Sequence, residues 1–244
     1  MEQQRLSDDE LNKREDSIET SYHYQYTEAS GRPFFTKSHE ILFFSAKRFF
    51  DVIGGLVGVF FFAIAYLVLF IPYHSKENKG PILFKQQRLG KNGVPFNIYK
   101  FRSMRVNADE YLHADKELYQ KYLDNDYKLE PQEDPRTTAL GRMLRKTSLD
   151  ELPQFINVLK GDMSLVGPRP IVGEELKEYG DKKDLFLQMK PGITGVWQTS
   201  GRSNIGYPLR VDLELSYRNY ESIWFDIKII LTTIAKVFKE EGAY

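Results

Sequence analysis

Val52 to Tyr73 reads VIGGLVGVFFFAIAYLVLFIPY, a run that carries no charge and is almost wholly apolar. About 20 such residues, at a rise of ~1.5 Å each, cover a bilayer core of ~30 Å. A helix apolar on every face otherwise needs a large protein around it, and this chain has 244 residues. The run lies too deep in the chain, and is too long, for a secretory signal. Lys47 and Arg48 precede it and Lys76, Lys79 and Lys85 follow it, so flanking charge selects no orientation. If both ends share one face of the membrane, the helix must break near its middle. No proline lies between Val52 and Ile71, and Gly54, Gly55 and Gly58 come early, so the residues themselves favour a straight span. Both the re-entrant and the spanning topology stay open.

Outward from this run the composition changes sharply. Residues 41 to 50 (ILFFSAKRFF) are aromatic and basic, suited to the headgroup layer. Asp51 stands at the mouth of the apolar segment, where carrying it to the bilayer centre would cost up to about 3 kcal/mol. It is expected to stay interfacial or to pair with Lys47 or Arg48. Residues 1–40 are polar and without period, and read as a flexible leader. The division is thus a leader over 1–40, a membrane-associated helix over 41–75 and a compact domain over 76–244.

Lys and Arg number 34 and Asp and Glu 34, so no net charge invites a nucleic acid. There are no cysteines, which excludes disulfides and thiolate catalysis, and the four histidines lack metal-ligand spacing. In the compact domain, Ile82 to Phe84 and Phe96 to Phe101 read as strands of a hairpin joined by QQRLGKNGVP, whose Asn-Gly marks the turn. Residues 106 to 130 read as a solvated helix, Glu174 to Tyr179 as another, KPGITG at 190–195 as a turn, and Val196 to Thr199 as a strand end. One last amphipathic helix is expected near 209–240, on the membrane surface or on the core. The fold class is therefore α+β: an N-terminal membrane helix, then a mostly helical domain with a small hairpin and amphipathic interfacial helices.

Asp150 and Glu151 open the stretch in which Leu149, Leu152, Phe155, Ile156 and Leu159 recur at helical spacing, with Gly161 as terminator. Two uses compete for the pair. Ser148 followed three residues later by Glu151 matches a capping box, in which Glu151 simply holds the Ser148 N–H. Alternatively the carboxylates act on phosphate, because Arg136, Arg142, Arg145, Lys146 and Arg169 lie close in sequence and a guanidinium grips phosphate oxygens in a bidentate fork. Such a cluster around carboxylates suggests a divalent metal and a diphosphate. An Asp in the first helical turn, favoured by the dipole and with a reference pKa of about 3.9, is already ionised at neutral pH and needs no base to become a nucleophile. Gly167, Pro168 and Pro170 stiffen the loop that presents Arg169.

From Asp134 to Pro170, with DPR and then GRMLRKTSLDELPQFINVLKGDMSLVGPRP, the chain resembles the bacterial sugar transferases, the monotopic polyprenyl-phosphate phosphoglycosyl transferases. The likeness extends to KRFFD at 47–51, QQRLG at 86–90, YKFRSM at 99–104, PGITG at 191–195 and GR at 201–202, and so covers about residues 46–240. The resemblance implies transfer of a sugar 1-phosphate from a UDP-sugar to undecaprenyl phosphate, with release of UMP, at the cytoplasmic face of the cell membrane. This would be the first membrane step of a capsule, exopolysaccharide or related glycan. It makes Asp150 the nucleophile that forms an aspartyl phosphosugar, and Glu151, with Asp150, a holder of Mg²⁺. Arg169, Lys100, Arg88, Arg145 and Arg202 match family motifs and are expected on phosphate or carboxylate. Membrane lipids are implied as partners; downstream glycosyltransferases and a second copy of the chain are further candidates. Where the family often has Ser-Pro midway along the hydrophobic segment, this chain has Ala63-Ile64. A catalytically inactive, membrane-anchored scaffold is the alternative, against which the intact Asp-Glu pair speaks.

Overall fold

A computed structural model describes residues 37–124, 129, 134–201 and 205–238. The first helix, α1 (Lys37–Phe70), runs unbroken through the apolar stretch, as the lack of a central proline favours. Ile41–Phe70 is long and apolar enough to cross a membrane. Its outer face is bare: Leu42 is 70 %, Phe60 61 % and Leu67 73 % exposed. Its inner face is docked. A Cβ added at Gly55 would meet Leu159 Cδ2 at 2.6 Å, and one at Gly58 would meet the Phe155 ring at 2.1 Å, so these glycines let α1 lie directly on the domain. Farther along, Phe62, Tyr66 and Leu69 join a small core with Tyr73, Phe101 and Leu144. From Lys47 to Leu69, about 33 Å at ~1.5 Å per residue, one side of the helix stays against the domain.

Strands β1 (Leu83–Leu89) and β2 (Pro95–Phe101) form the antiparallel hairpin, with Leu83 opposite Phe101 and Leu89 opposite Pro95. The Asn-Gly turn is confirmed by positive φ at Asn92 (59°) and Gly93 (74°). The first strand is longer than the sequence suggested, because QQRL continues the pairing that was read as linker. Within 106–130 the described residues form two short helices, α2 (Ala108–Ala114) and α3 (Lys116–Asp124), with Leu112 buried. Helix α4 (Ala139–Lys146) is capped by the Thr138 side chain, which accepts from the Gly141 N–H at 3.0 Å.

The helix expected from Ser148 starts later. Leu149–Glu151 is a single 3₁₀ turn, and α5 (Gln154–Lys160) begins only after Pro153, which has no N–H to give the Leu149 carbonyl. Leu152 N–H takes that carbonyl instead, at 3.2 Å. Gly161, at φ 90°, ends α5 as expected. Strand β3 (Ser164–Val166) then pairs in parallel with β4 (Gly192–Thr194), so the KPGITG segment is a strand and not only a turn. Between them lie a 3₁₀ helix (Gly173–Lys182), where Glu174 to Tyr179 suggested a helix, and α6 (Lys183–Leu187).

Val196–Ser200 is a helix, α7, and not a strand end. Its one turn is closed by Thr199, whose hydroxyl donates back to the Gly195 and Val196 carbonyls. The single last helix is two, α8 (Leu209–Tyr220) and α9 (Ile223–Phe238), separated by Ser222, whose hydroxyl accepts from Phe225 N–H at 3.2 Å as an N-cap does. The main core gathers Val166, Ile171, Tyr179, Phe186, Trp197, Val211 and Ile229, joining β3, α7, α8 and α9. The fold is α+β as expected. The leader lies outside the described residues except for the backbone of 37–40, which opens α1.

Candidate active site

Ser148 sits in the left-handed region at φ 55° and makes no side-chain cap, so the capping box is not formed. Glu151 instead takes Lys100 Nζ of β2 at 2.9 Å. Asp150 points inward and is 8 % exposed. Removal from water pushes its carboxyl up to about 6; the neighbouring Glu151 adds to this, while Lys100, Arg145 and Arg169 pull it down. The sequence put this group near 3.9, favoured by a helix dipole. A one-turn 3₁₀ segment offers little dipole, and burial outweighs it.

A cleft beside Glu151 is lined by Arg88, Lys100, Glu151, Gln154, Arg169 and Gln198 among others, while Asp150 is buried next to it and is not one of its lining residues. Four of the residues singled out from sequence, Arg88, Lys100, Glu151 and Arg169, thus share one wall system. Arg169 is presented by the loop that leaves β3, and that loop is held by very close backbone contact. A Cβ on Gly167 would stand 2.3 Å from Lys190 O, and one on Gly192 would stand 2.1 Å from Gly167 N. The Gly192 N–H donates to Pro168 O at 2.9 Å. The Arg169 guanidinium lies 5.6 Å from the Trp197 ring centre.

Arg88 reaches the cleft from β1, steadied by Glu175 Oε1 at 3.2 Å and Gln86 Oε1 at 2.7 Å. Burial, helped by repulsion from Arg169 and Arg210 and opposed by Glu175, lowers its pKa to about 10. Two close guanidiniums with incomplete compensation are a place for an anion. Arg145 is not a cleft-lining residue. It flanks Asp150 from α4, where Ser103 Oγ accepts from its Nε at 2.9 Å and burial lowers its pKa. Arg202 lies outside the described residues.

Other basic residues from the sequence cluster have structural employment. Arg136 makes a buried fork with Asp134, at 2.8 and 2.9 Å, and Arg142 donates to Thr137 O at 3.0 Å. Sequence reasoning missed Gln154 and Gln198 in the cleft, and the Glu175–Arg210 pair at 3.4 Å behind Arg88. Nothing in their spacing marks them, since they converge from α5, α7, α8 and a 3₁₀ helix. Among the described residues no three His, Cys, Asp or Glu side chains gather as a closed metal cage. Mg²⁺ characteristically takes one or two protein carboxylates and completes its shell with water and substrate phosphate, which the adjacent Asp150 and Glu151 suit.

The chain belongs to the bacterial sugar transferase family, whose model matches residues 42–240. It is 46 % identical over 211 residues to the galactosyl transferase CpsE of Streptococcus agalactiae, covering 86 % of this chain and 45 % of that one. It is 44 % identical over 201 residues to the undecaprenyl-phosphate galactose phosphotransferase of Salmonella typhimurium, covering 81 % of this chain and 41 % of that one. To the UDP-glucose:undecaprenyl-phosphate glucose-1-phosphate transferase of Escherichia coli it is 42 % identical over 176 residues, 69 % of this chain and 35 % of that one. The chain therefore spans less than half the length of these relatives.

Proposed function

We propose that this chain is a phosphoglycosyl transferase that moves a sugar 1-phosphate from a UDP-sugar to undecaprenyl phosphate and releases UMP. The observation that carries the reading is the buried Asp150 carboxylate, drawn toward ionisation by Lys100, Arg145 and Arg169 and adjoining Glu151 of a cleft lined by Arg88, Lys100 and Arg169. The names of the Salmonella and Escherichia relatives support the donor and acceptor classes. In the first step an Asp150 oxygen attacks the sugar-proximal phosphorus; the new P–O bond forms as the bond to UMP breaks, and UMP leaves with the electron pair. In the second, an oxygen of undecaprenyl phosphate attacks the same phosphorus and displaces the Asp150 carboxylate. The product is a lipid-linked sugar diphosphate, and Asp150 is regenerated.

Burial suits Asp150 to this work, since a poorly hydrated carboxylate need shed little water to reach phosphorus. With a pKa of about 6 it is still mostly ionised at pH 7. Arg169 and Arg88 hold phosphate oxygens, and Lys100 keeps Glu151 in place beside the reacting phosphorus. Asp150 and Glu151 would hold Mg²⁺ together with the donor's phosphate oxygens, where the ion neutralises diphosphate charge. Nucleotide sugars are cytoplasmic, so the domain faces the cytoplasm and α1 seats it on the membrane. The initiating step of a surface glycan is the role such a product serves.

The test is purified full chain in detergent with undecaprenyl phosphate, Mg²⁺ and a panel of UDP-sugars. Wild type should release UMP with one of them, and with that donor alone intact mass should rise by one phosphosugar. Asp150→Asn should do neither. Substantial turnover by that variant would remove Asp150 as nucleophile.

A further inference from the structure

Three charged residues of α1, Lys47, Arg48 and Asp51, were expected at the headgroup layer, with Asp51 interfacial or paired with Lys47 or Arg48, and that pairing does not form. Each reaches instead the main chain of a segment that carries the candidate site. Lys47 Nζ donates to Val166 O at 3.0 Å, and pairs with Asp226 Oδ2 at 2.5 Å and Tyr217 Oη at 2.9 Å. Asp51 Oδ1 accepts from Ser164 Oγ at 2.9 Å and from the Leu165 N–H at 2.8 Å. Both therefore hold β3, which runs directly into the Gly167–Pro170 loop and Arg169. Arg48 donates to Val158 O at 2.7 Å and Leu159 O at 2.8 Å, the closing carbonyls of α5, whose other end follows Asp150 and Glu151.

We infer that Lys47, Arg48 and Asp51 are positioning residues, which clamp the membrane helix to β3 and α5 and so fix the Arg169 loop relative to the Asp150 turn. The inference rests on the proposed roles of Asp150 and Arg169. A residue serving only membrane placement needs its charge at the interface; here Lys47 and Asp51 are buried in the domain. A residue serving only packing has no reason to bond main chain on the two segments that bear the chemistry. The arrangement makes catalysis depend on the helix being docked, because the bonds that order β3 come from α1.

Asp51 offers the separating experiment, since asparagine keeps an acceptor oxygen and alanine does not. Full-length wild type, Asp51→Ala and Asp51→Asn are compared in detergent by amide exchange across 164–170 and by UMP release. In Asp51→Ala, exchange at Leu165 should quicken and kcat/KM for the donor fall, each about tenfold, while Asp51→Asn stays within about threefold of wild type on both. Equal damage in the two variants would mean that charge matters and the hydrogen bonds do not, which overturns the clamp. So would faster exchange with unchanged turnover, or lost turnover with unchanged exchange. If Asp51→Ala fails to fold, Ser164→Ala removes one of the two bonds and should give a smaller change of both readouts in the same direction. Failure of the proposed activity would appear separately, as a wild type that releases no UMP, with the exchange comparison of Asp51→Ala and Asp51→Asn still deciding the clamp.

Discussion

Asp150→Asn should make the protein more stable as it ends catalysis. Burial raises the Asp150 carboxyl from 3.8 to about 6, so the folded state resists the charge that the proposed reaction needs. A rise of about two units is worth about 3 kcal/mol against the ionised folded form, at ~1.4 kcal/mol per unit. The sign follows from proton binding: the folded state holds this proton more tightly than the unfolded one. The stability that Asp150 contributes is therefore fully present below about pH 4 and lost as pH rises through about 6. Asparagine cannot ionise and escapes that loss. At pH 8, in EDTA so that only the protein's own charges act, Asp150→Asn should melt about 6–12 °C above wild type, since about 3 kcal/mol is at stake and 1 kcal/mol moves a domain of this size by ~2–4 °C. Below about pH 4 the two curves should converge. Thermal unfolding in detergent, followed by tryptophan fluorescence over pH 4 to 8, measures both. A variant no more stable than wild type at pH 8, or an advantage that persists unchanged at pH 4, would refute the view that Asp150 is a charge held at a cost for function. Turnover should run the other way, falling as pH drops through about 6.

Two further outcomes follow from other parts of the molecule. Gly141→Ala would put a Cβ 1.7 Å from Ser103 O, and Ser103 also holds Arg145; thermal unfolding should show a loss of about 1–3 kcal/mol, with weakened UMP release, and a neutral alanine would contradict the packing of α4 on that strand end. Because the chain has no cysteine, Val94→Cys at the exposed hairpin turn is a single label site: an impermeant maleimide should leave it unmodified in intact cells and modify it after lysis, and labelling in intact cells would put the domain on the outer face.

Periodicity and turn chemistry carried part of the fold. The apolar run from Val52 forms a long helix as far as Phe70, just before Pro72, and Asn92-Gly93 turns a hairpin, because both are local consequences of side-chain type. Short elements escaped for the same reason. Three residues in β3 and three in β4 are too few to alternate, and Val196 to Ser200 closes a single turn that no period reveals. Pro153 did mark a boundary, and it moved the helix start past the acidic pair.

The candidate site was legible from residue type for the carboxylate pair and the arginine in a proline-stiffened loop, whereas Lys100 and Arg88 in the hairpin strands were reached only through the family resemblance. By itself the sequence determined which groups are available for phosphate chemistry, and that an apolar helix stands before them. Tertiary structure alone decided how they are used. Glu151 turns to Lys100 in place of a cap, Asp150 loses water and gains its proton near pH 6, and Arg136 is taken up by Asp134. Lys47, Arg48 and Asp51 bond to the main chain of β3 and α5. Burial and long-range partners set those outcomes, and both depend on which segments meet, which spacing along a chain does not record.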